Sequence, residues 1–272
     1  DSPLLNRATQ GLYTPGSTFK TVTLIAAVEA GLDGNAPATC AEQVFIDGVS
    51  ITSQNEPPGK TTQTVADAYG YSCNTFFAEL GLEVGEEQFT RTARALGLDE
   101  DVPFALPTSE GRLASTRGFL DTDAGLAASA FGQGELQFTP LHLALVTAAV
   151  ANEGVVMRPR LFLHEDPSEW RTAMSPATAR EVASMMEYGV QAGWASTAAI
   201  PGVRVAGKTG SAEVAEGESS HALFIAFAPV EAPTIAVAVV KEFAGAGSRE
   251  AGPVAKAVIE AWLAQDRPTT AR

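Results

Sequence analysis

The sequence predicts an α+β domain with a helical middle and a sheet-rich C-terminal third. Three observations carry this expectation. Apolar residues recur at helical spacing through much of the first 192 positions, three short β-type runs follow residue 200, and no internal repeat or low-complexity linker divides the 272 residues. Hydrophobic residues make up 45% of the chain and charged residues 18%, enough apolar material for a core and too little charge for disorder.

Taken in order, Tyr13-Thr14-Pro15-Gly16 reads as a turn, followed by a helix from about Ser17 with Val22, Ile25 and Val28 among its apolar positions and Gly31 at its end. Gly34 to Thr62 is rich in Pro and Gly, and its short run Val44-Phe45-Ile46 suits a small strand or loop. Helical patterns follow at Val65 to Tyr69, Phe76 to Leu82 and Phe89 to Leu96, and the polar segment from Asp99 to Thr122 reads as loop. Leu141 to Asn152 is a strongly apolar helix introduced by Thr139-Pro140 and ended by Gly154. A helix over Ala177 to Ala192 precedes the β-type runs Val203 to Ala206, His221 to Ala228 and Thr234 to Val240, and Pro253 to Leu263 closes the chain as a helix. These elements suggest a single domain, residues 1–272, with a helical subdomain over about 32–152 and a sheet-containing subdomain built from about 1–31 and 153–272.

Composition narrows the function classes. A formal net charge of −14 argues against nucleic acid and against docking on an anionic membrane surface. The longest nearly unbroken apolar stretches, such as Leu143 to Ala151, fall short of the roughly 18 to 20 residues that span a bilayer. The opening residues lack the basic and apolar regions of a signal peptide, so any targeting or anchoring segment is expected outside this sequence. Two cysteines and three scattered histidines are too few for a Cys/His zinc cage, and no metal or organic cofactor is expected.

Three constellations stand out: Ser17-Thr18-Phe19-Lys20, Ser72-Cys73-Asn74 and Lys208-Thr209-Gly210-Ser211. An isolated S-x-x-K is commonly a capping serine and a solvated lysine. Here, however, two of only five lysines fall inside these motifs. On a helix, Ser17 and Lys20 share one face and come within hydrogen-bond reach. A serine hydroxyl needs an adjacent proton acceptor, and a lysine serves once desolvation and a second cation, for which Lys208 is the candidate, depress its pKa. Ser17 at a helix N-terminus would also sit where free N–H groups favour negative charge.

Together with the wider phrases Tyr13 to Lys20, Ser72 to Phe77, Gly132-Gln133-Gly134-Glu135, Ala151 to Gly154, Gly207 to Glu213 and Ala222 to Pro229, these motifs resemble the transpeptidase domain of penicillin-binding proteins. The opening Leu4 to Thr9 and the short helical insert are most similar to class B members of the actinobacterial PbpA type. The resemblance implies the penicillin-binding, serine β-lactamase-like fold, an antiparallel sheet flanked by helices with a helical subdomain. It implies that Ser17 is acylated, that Lys20 takes its proton, that Ser72 relays the proton to the leaving amine and that Lys208 supports the network. Asn74 would bind the substrate amide, and Thr209 and Ser211 the substrate carboxylate. The N–H groups of Ser17 and Ser211 would form an oxyanion hole, and Gly210 would stay small to let the strand lie along the substrate backbone. The family works outside the cytoplasm, where disulfides persist, so a Cys40–Cys73 bond is implied as well. Family members carry a strand pair before the Leu4-Leu5-Asn6 region, and the sequence given starts after it.

The expected substrates are peptidoglycan stem peptides ending in D-Ala-D-Ala, with β-lactam antibiotics as acylating analogues. A membrane glycosyltransferase is the expected partner, at the extracytoplasmic face of the plasma membrane, with the protein held by an N-terminal helix. The same chemistry also serves D,D-carboxypeptidases, β-lactamases and β-lactam sensors. A class A β-lactamase needs a deacylating glutamate, usually in E-x-x-L-N, whereas Glu110-Gly111-Arg112-Leu113 is followed here by Ala114. A class D enzyme would carry an apolar residue in place of Asn74. A non-catalytic cell-wall scaffold is the other alternative, disfavoured by the intact motifs. His142, in the apolar helix, and His221, at a strand start, read as structural, and Glu135 and Glu213 receive no catalytic role.

Overall fold

In the computed structural model, which describes residues 4–53, 56–57, 59–214 and 217–265, several of the α-helices begin where the sequence supplies a cap. α1 (Arg7–Gln10) is a single turn capped by Asn6. The helix expected from Ser17 is corrected: Gly16–Phe19 form a 3₁₀ turn and α2 proper is Lys20–Glu29. The tighter winding has a local cause, since the Thr18 hydroxyl donates back to the Pro15 carbonyl at 2.7 Å.

β1 (Gln43–Ile46) and β2 (Val49–Thr52) form a hairpin around Asp47-Gly48, both at positive φ, a two-residue turn whose twist matches paired strands. α3 (Val65–Gly70) opens with a capping box between Thr64 and Asp67. α4 (Asn74–Ala95) joins the two helices expected at 76–82 and 89–96, with a break at Gly85, where φ is 77° and ψ 156°. No named helix or strand falls between residues 99 and 122, as expected. α5 (Asp123–Ala130) was not foreseen, because its Ala, Gly and Ser residues carry no strong apolar period. α6 (Pro140–Ala151) starts at the Thr139 cap and Pro140, within a residue of the expectation.

The hairpin of β3 (Val155–Met157) and β4 (Glu169–Thr172) was also missed, its strands being too short for a clear alternation. α7 (Pro176–Gln191) is capped by Ser175, and a second 3₁₀ turn covers Trp194–Ala198. β5 (Ala206–Ala212), β6 (His221–Ala228) and β7 (Ile235–Lys241) form an antiparallel sheet in that order, followed by α8 (Gly247–Glu250) and α9 (Gly252–Leu263). The first strand of this sheet corrects the expectation of 203–206: it begins where that run ends and contains Lys208 to Ser211. Its two glycines and lysine have weak strand propensity, and pairing of Lys208 with Ile225 and of Gly210 with Leu223 on β6 makes it a strand.

The central strand β6 is buried nearly throughout. Leu223, Ile225 and Phe227 join one core with Phe19, Leu143 and Met185 from the helices, while Phe224, Ala226 and Ala228 join a second with Ala251, Ala255 and Ile259. α6, grouped with the helical part by sequence position, packs on β6 and β7. Cys40 and Cys73 are disulfide-bonded, with Cα atoms 5.9 Å apart, so the segment before β1 is tied to the start of α4.

That bond closes a loop with a sequence separation of 33, for which chain entropy gives about 3 to 4 kcal/mol of stabilisation. Urea unfolding with and without reductant is expected to show a loss of that size. Two alkylatable thiols in the unreduced, denatured protein would contradict the bond.

Candidate active site

The three constellations converge at the β5 edge of the sheet. Lys20, the first residue of α2, is fully buried, and its Nζ lies 3.0 Å from Ser17 Oγ and 3.1 Å from Ser72 Oγ. It also reaches the Ser72 carbonyl oxygen at 2.6 Å and Asn74 Oδ1 at 2.7 Å. Those two oxygens can only accept, so a neutral Lys20 amine spends its two N–H groups on them. Its lone pair is then left for the Ser17 or Ser72 hydroxyl proton. Ser72 Oγ meets Lys208 Nζ at 2.9 Å, and Lys208 is also close to the Thr209 carbonyl at 3.3 Å. One hydroxyl thus stands between two amines.

Burial, followed by the charge of Lys208, holds Lys20 well below the ordinary lysine range. Burial brings Lys208 down to about 7. Besides these neutral oxygens, aromatic faces partly replace the lost water, with the Phe77 ring centroid 5.7 Å from Lys20 Nζ and the Tyr69 centroid 5.5 Å from Lys208 Nζ. A base that is neutral near pH 7 is what a serine nucleophile requires.

Backbone geometry brings these groups together. Ser72 sits between α3 and α4 at φ +64°, a left-handed conformation uncommon for a non-glycine residue. Gly16 takes φ +54°, and a Cβ there would stand 2.5 Å from the Ser211 carbonyl oxygen, so the Ser17 turn lies directly against β5. Gly210 has a packing reason to be small as well: a Cβ there would meet the Thr18 methyl at 2.8 Å and the Pro15 carbonyl oxygen at 3.1 Å. It must be small for the Ser17 turn on the inner side of the strand. Asn74 opens α4 and donates from Nδ2 to the Thr52 carbonyl at 3.2 Å.

The cleft in front of these groups has a volume of about 520 Å³ and is lined by Ser17, Ser72, Asn74, Thr209, Gly210 and Ser211 among the residues expected from sequence. Lys20 and Lys208 lie behind it. Gln133, Trp194, Ser248 and Arg249 also line it, and sequence reasoning named none of them as a site residue. The Gly132-Gln133-Gly134 phrase was a visible signal for the first. α8 had none, being one turn placed by a bond from the Gly247 N–H to Ser211 Oγ at 3.2 Å.

No histidine lines this cleft among the described residues. His142 Nδ1 lies 2.8 Å from the Thr139 hydroxyl at the start of α6, and His221 Nδ1 accepts from the Phe243 N–H at 3.0 Å. Glu135 accepts from the backbone and hydroxyls of Ser115 and Thr116, chiefly the Thr116 hydroxyl, which hold its carboxyl down at about 2. It fastens a loop. Glu213 reaches the rim of the cleft. No cluster of metal-ligating side chains occurs among the described residues.

The family described as penicillin binding protein transpeptidase domain matches residues 1–260. The chain is 37% identical over 286 residues to peptidoglycan D,D-transpeptidase PbpA of Mycolicibacterium smegmatis, covering 96% of this chain and 57% of that protein. A ceftriaxone acyl-enzyme complex of penicillin-binding protein A from M. tuberculosis superposes with a TM-score of 0.87 at 33% identity, over 96% of this chain and 63% of that one. The D,D-transpeptidase domain of a peptidoglycan glycosyltransferase from Eggerthella lenta gives a TM-score of 0.88 at 31% identity, over 97% and 68% of the two chains. The chain therefore spans a little over half the length of the PbpA relative.

The buried amines carry a stability cost with a defined pH dependence. The unfolded chain holds the Lys208 proton up to the ordinary lysine pKa, the folded chain only below about 7. Folding is therefore penalised most at and below pH 7, and the penalty fades as pH rises toward 10. Lys208→Met is expected to stabilise the fold by on the order of a few kcal/mol at pH 6.5 and by much less at pH 9.5. Urea melts of both proteins at the two pH values check this, and an equal gain at both would refute it.

Proposed function

Because this chain belongs to the penicillin-binding protein transpeptidase domain family and shares its fold, we propose that it is a serine D,D-transpeptidase domain acting on peptidoglycan stem peptides. The observation that carries the reading is the contact of one buried, neutral-leaning amine, Lys20 Nζ, with Ser17 Oγ at 3.0 Å and Ser72 Oγ at 3.1 Å. The transpeptidase name of the PbpA relative supports it, as does the acyl-enzyme state of the structural neighbour.

Ser17 Oγ attacks the carbonyl of the D-Ala-D-Ala bond while its proton passes to Lys20. The developing oxyanion is held by the N–H groups of Ser17 and Ser211, which the Gly16 contact brings onto neighbouring segments. Ser72, between Lys20 and Lys208, passes a proton to the leaving D-alanine amine as the C–N bond breaks. The Ser17 ester is then resolved by the amine of a second stem peptide. Asn74 borders the acyl donor's amide, and Thr209 and Ser211 take its carboxylate. β-Lactams enter the same path and stop at the ester.

An extracytoplasmic location belongs to the same proposal and is supported by the Cys40–Cys73 disulfide. A membrane anchor and a glycosyltransferase partner rest on family resemblance alone.

Intact-protein mass after incubation with benzylpenicillin tests the reading. A single adduct that persists for hours on the wild type and is missing from Ser17→Ala is the expected result. No adduct would overturn the assignment, and rapid loss with turnover would move it to a hydrolase. The acylation rate constant is expected to rise with pH across the neutral range, as the coupled lysines lose a proton, and not near pH 10. Stopped-flow acylation from pH 5 to 10 checks the position of that limb.

A further inference from the structure

We propose that Tyr188, through Asp67 and Tyr71, is a positioning residue for Ser72, an inference that rests on the roles given above to Ser17, Lys20 and Ser72. Ser72 is held at φ +64°, a left-handed conformation that is strained for a non-glycine residue and persists only when its surroundings enforce it. The helix that leads into it, α3, has six residues and is too short to hold itself. Val65 and Ala66 tie its start to the Ala36 and Gly34 carbonyls, Tyr69 bonds Thr21 on α2 at 2.8 Å, and its tie to α7 is the Tyr188 hydroxyl. That hydroxyl donates to Asp67 Oδ1, which as a carboxylate oxygen can only accept. Its single proton being used there, Tyr188 accepts from the Tyr71 hydroxyl at 3.0 Å.

The other Asp67 oxygen accepts from the Thr64 N–H at 3.0 Å and the Gln63 N–H at 3.1 Å. One carboxylate thus links the start of α3 to α7, and Tyr71, next to Ser72, completes the chain at the other end. Although burial raises it, the bonds from Tyr188, Gln63 and Thr64 hold the Asp67 carboxyl below its usual range, so the acceptor stays ionised.

The next residue on α7 touches the other side of the site. A Cβ on Gly189 would lie 3.1 Å from the Gly207 carbonyl oxygen and 3.9 Å from Gly70 Cα. α7 is therefore a spacer between the α3 end, which carries Ser72, and the strand that carries Lys208. Tyr188 fixes one side of that spacer, and the 2.9 Å contact of Ser72 Oγ with Lys208 Nζ is the distance it sets.

Tyr188→Phe keeps the ring against Gly70 and removes both hydrogen bonds. With benzylpenicillin at 20 °C, where circular dichroism shows the variant folded, the acylation rate constant is expected to fall about tenfold while the apparent dissociation constant stays within about twofold. Because the bonds form one chain, adding Tyr71→Phe to Tyr188→Phe should cost nothing more. A wild-type acylation rate in folded Tyr188→Phe would overturn the inference, as would equal loss in rate and affinity. Should Tyr188→Phe fail to fold, Tyr71→Phe alone carries the test, with a fall of about threefold in support and an unchanged rate against. The wild-type arm separates the two readings: an adduct with no effect of either variant sinks the positioning role alone, whereas no adduct sinks the proposed function and this role together.

Discussion

Two primary amines that would be charged in water are buried side by side, with one serine hydroxyl between them, and the rest of the site is arranged around that fact. Neither Lys20 nor Lys208 has a carboxylate partner among the described residues; their contacts are hydroxyls, carbonyl oxygens and an amide oxygen. An ion pair would stabilise the charged forms and raise both pKa values. Burial without a countercharge, reinforced at Lys20 by the neighbouring Lys208, does the reverse, and a neutral amine is the form that takes a proton from serine.

Holding such a pair requires a scaffold with little freedom. β6 supplies it by being buried on both faces, so β5, which carries Lys208, is fixed through its ladder to the most protected strand of the sheet. On the other side, α2 is buried along nearly its whole length and delivers Lys20 to the same point. The third component, Ser72, comes from neither layer. It lies on a strained junction between two helices, pinned on one side by the disulfide at Cys73 and on the other by the hydrogen bonds of Tyr71 and Asp67. Strain concentrated at the residue that shares its hydroxyl with both amines is the pattern expected where geometry serves chemistry.

The cleft in front is more polar than the interior behind it. Its wall mixes hydroxyls, amides, one arginine and one glutamate, so a bound peptide would meet hydrogen-bonding groups along its length. The placement of α8 against β5 through Ser211 makes part of this wall depend on a residue of the third motif. The motif residue and the cleft rim are thus mechanically linked.

Much of this was legible in the sequence, and the boundary between what was and what was not has a physical basis. Helices with explicit caps and either a continuous apolar run, such as α6 behind Thr139-Pro140, or an apolar face, such as α7 behind Ser175-Pro176, could be placed to within a residue or two, because their signals are local. The motif residues were legible for a related reason, since nucleophile and base on one helical turn are a short-range pattern, as is the isolation of two lysines in a lysine-poor chain. The strand character of Ala206 to Ala212 and the β3–β4 hairpin were not, because long-range pairing decides them, while α5 lacks an apolar period and the 3₁₀ turn at Ser17 follows from a Thr18 side-chain bond that helical spacing does not show. The sequence by itself determined which lysines and serines are available to this cleft. Only the tertiary structure decided that Lys20 and Lys208 share one hydroxyl, since that depends on distances between segments separated by up to 188 positions, and on the burial that strips both amines of water.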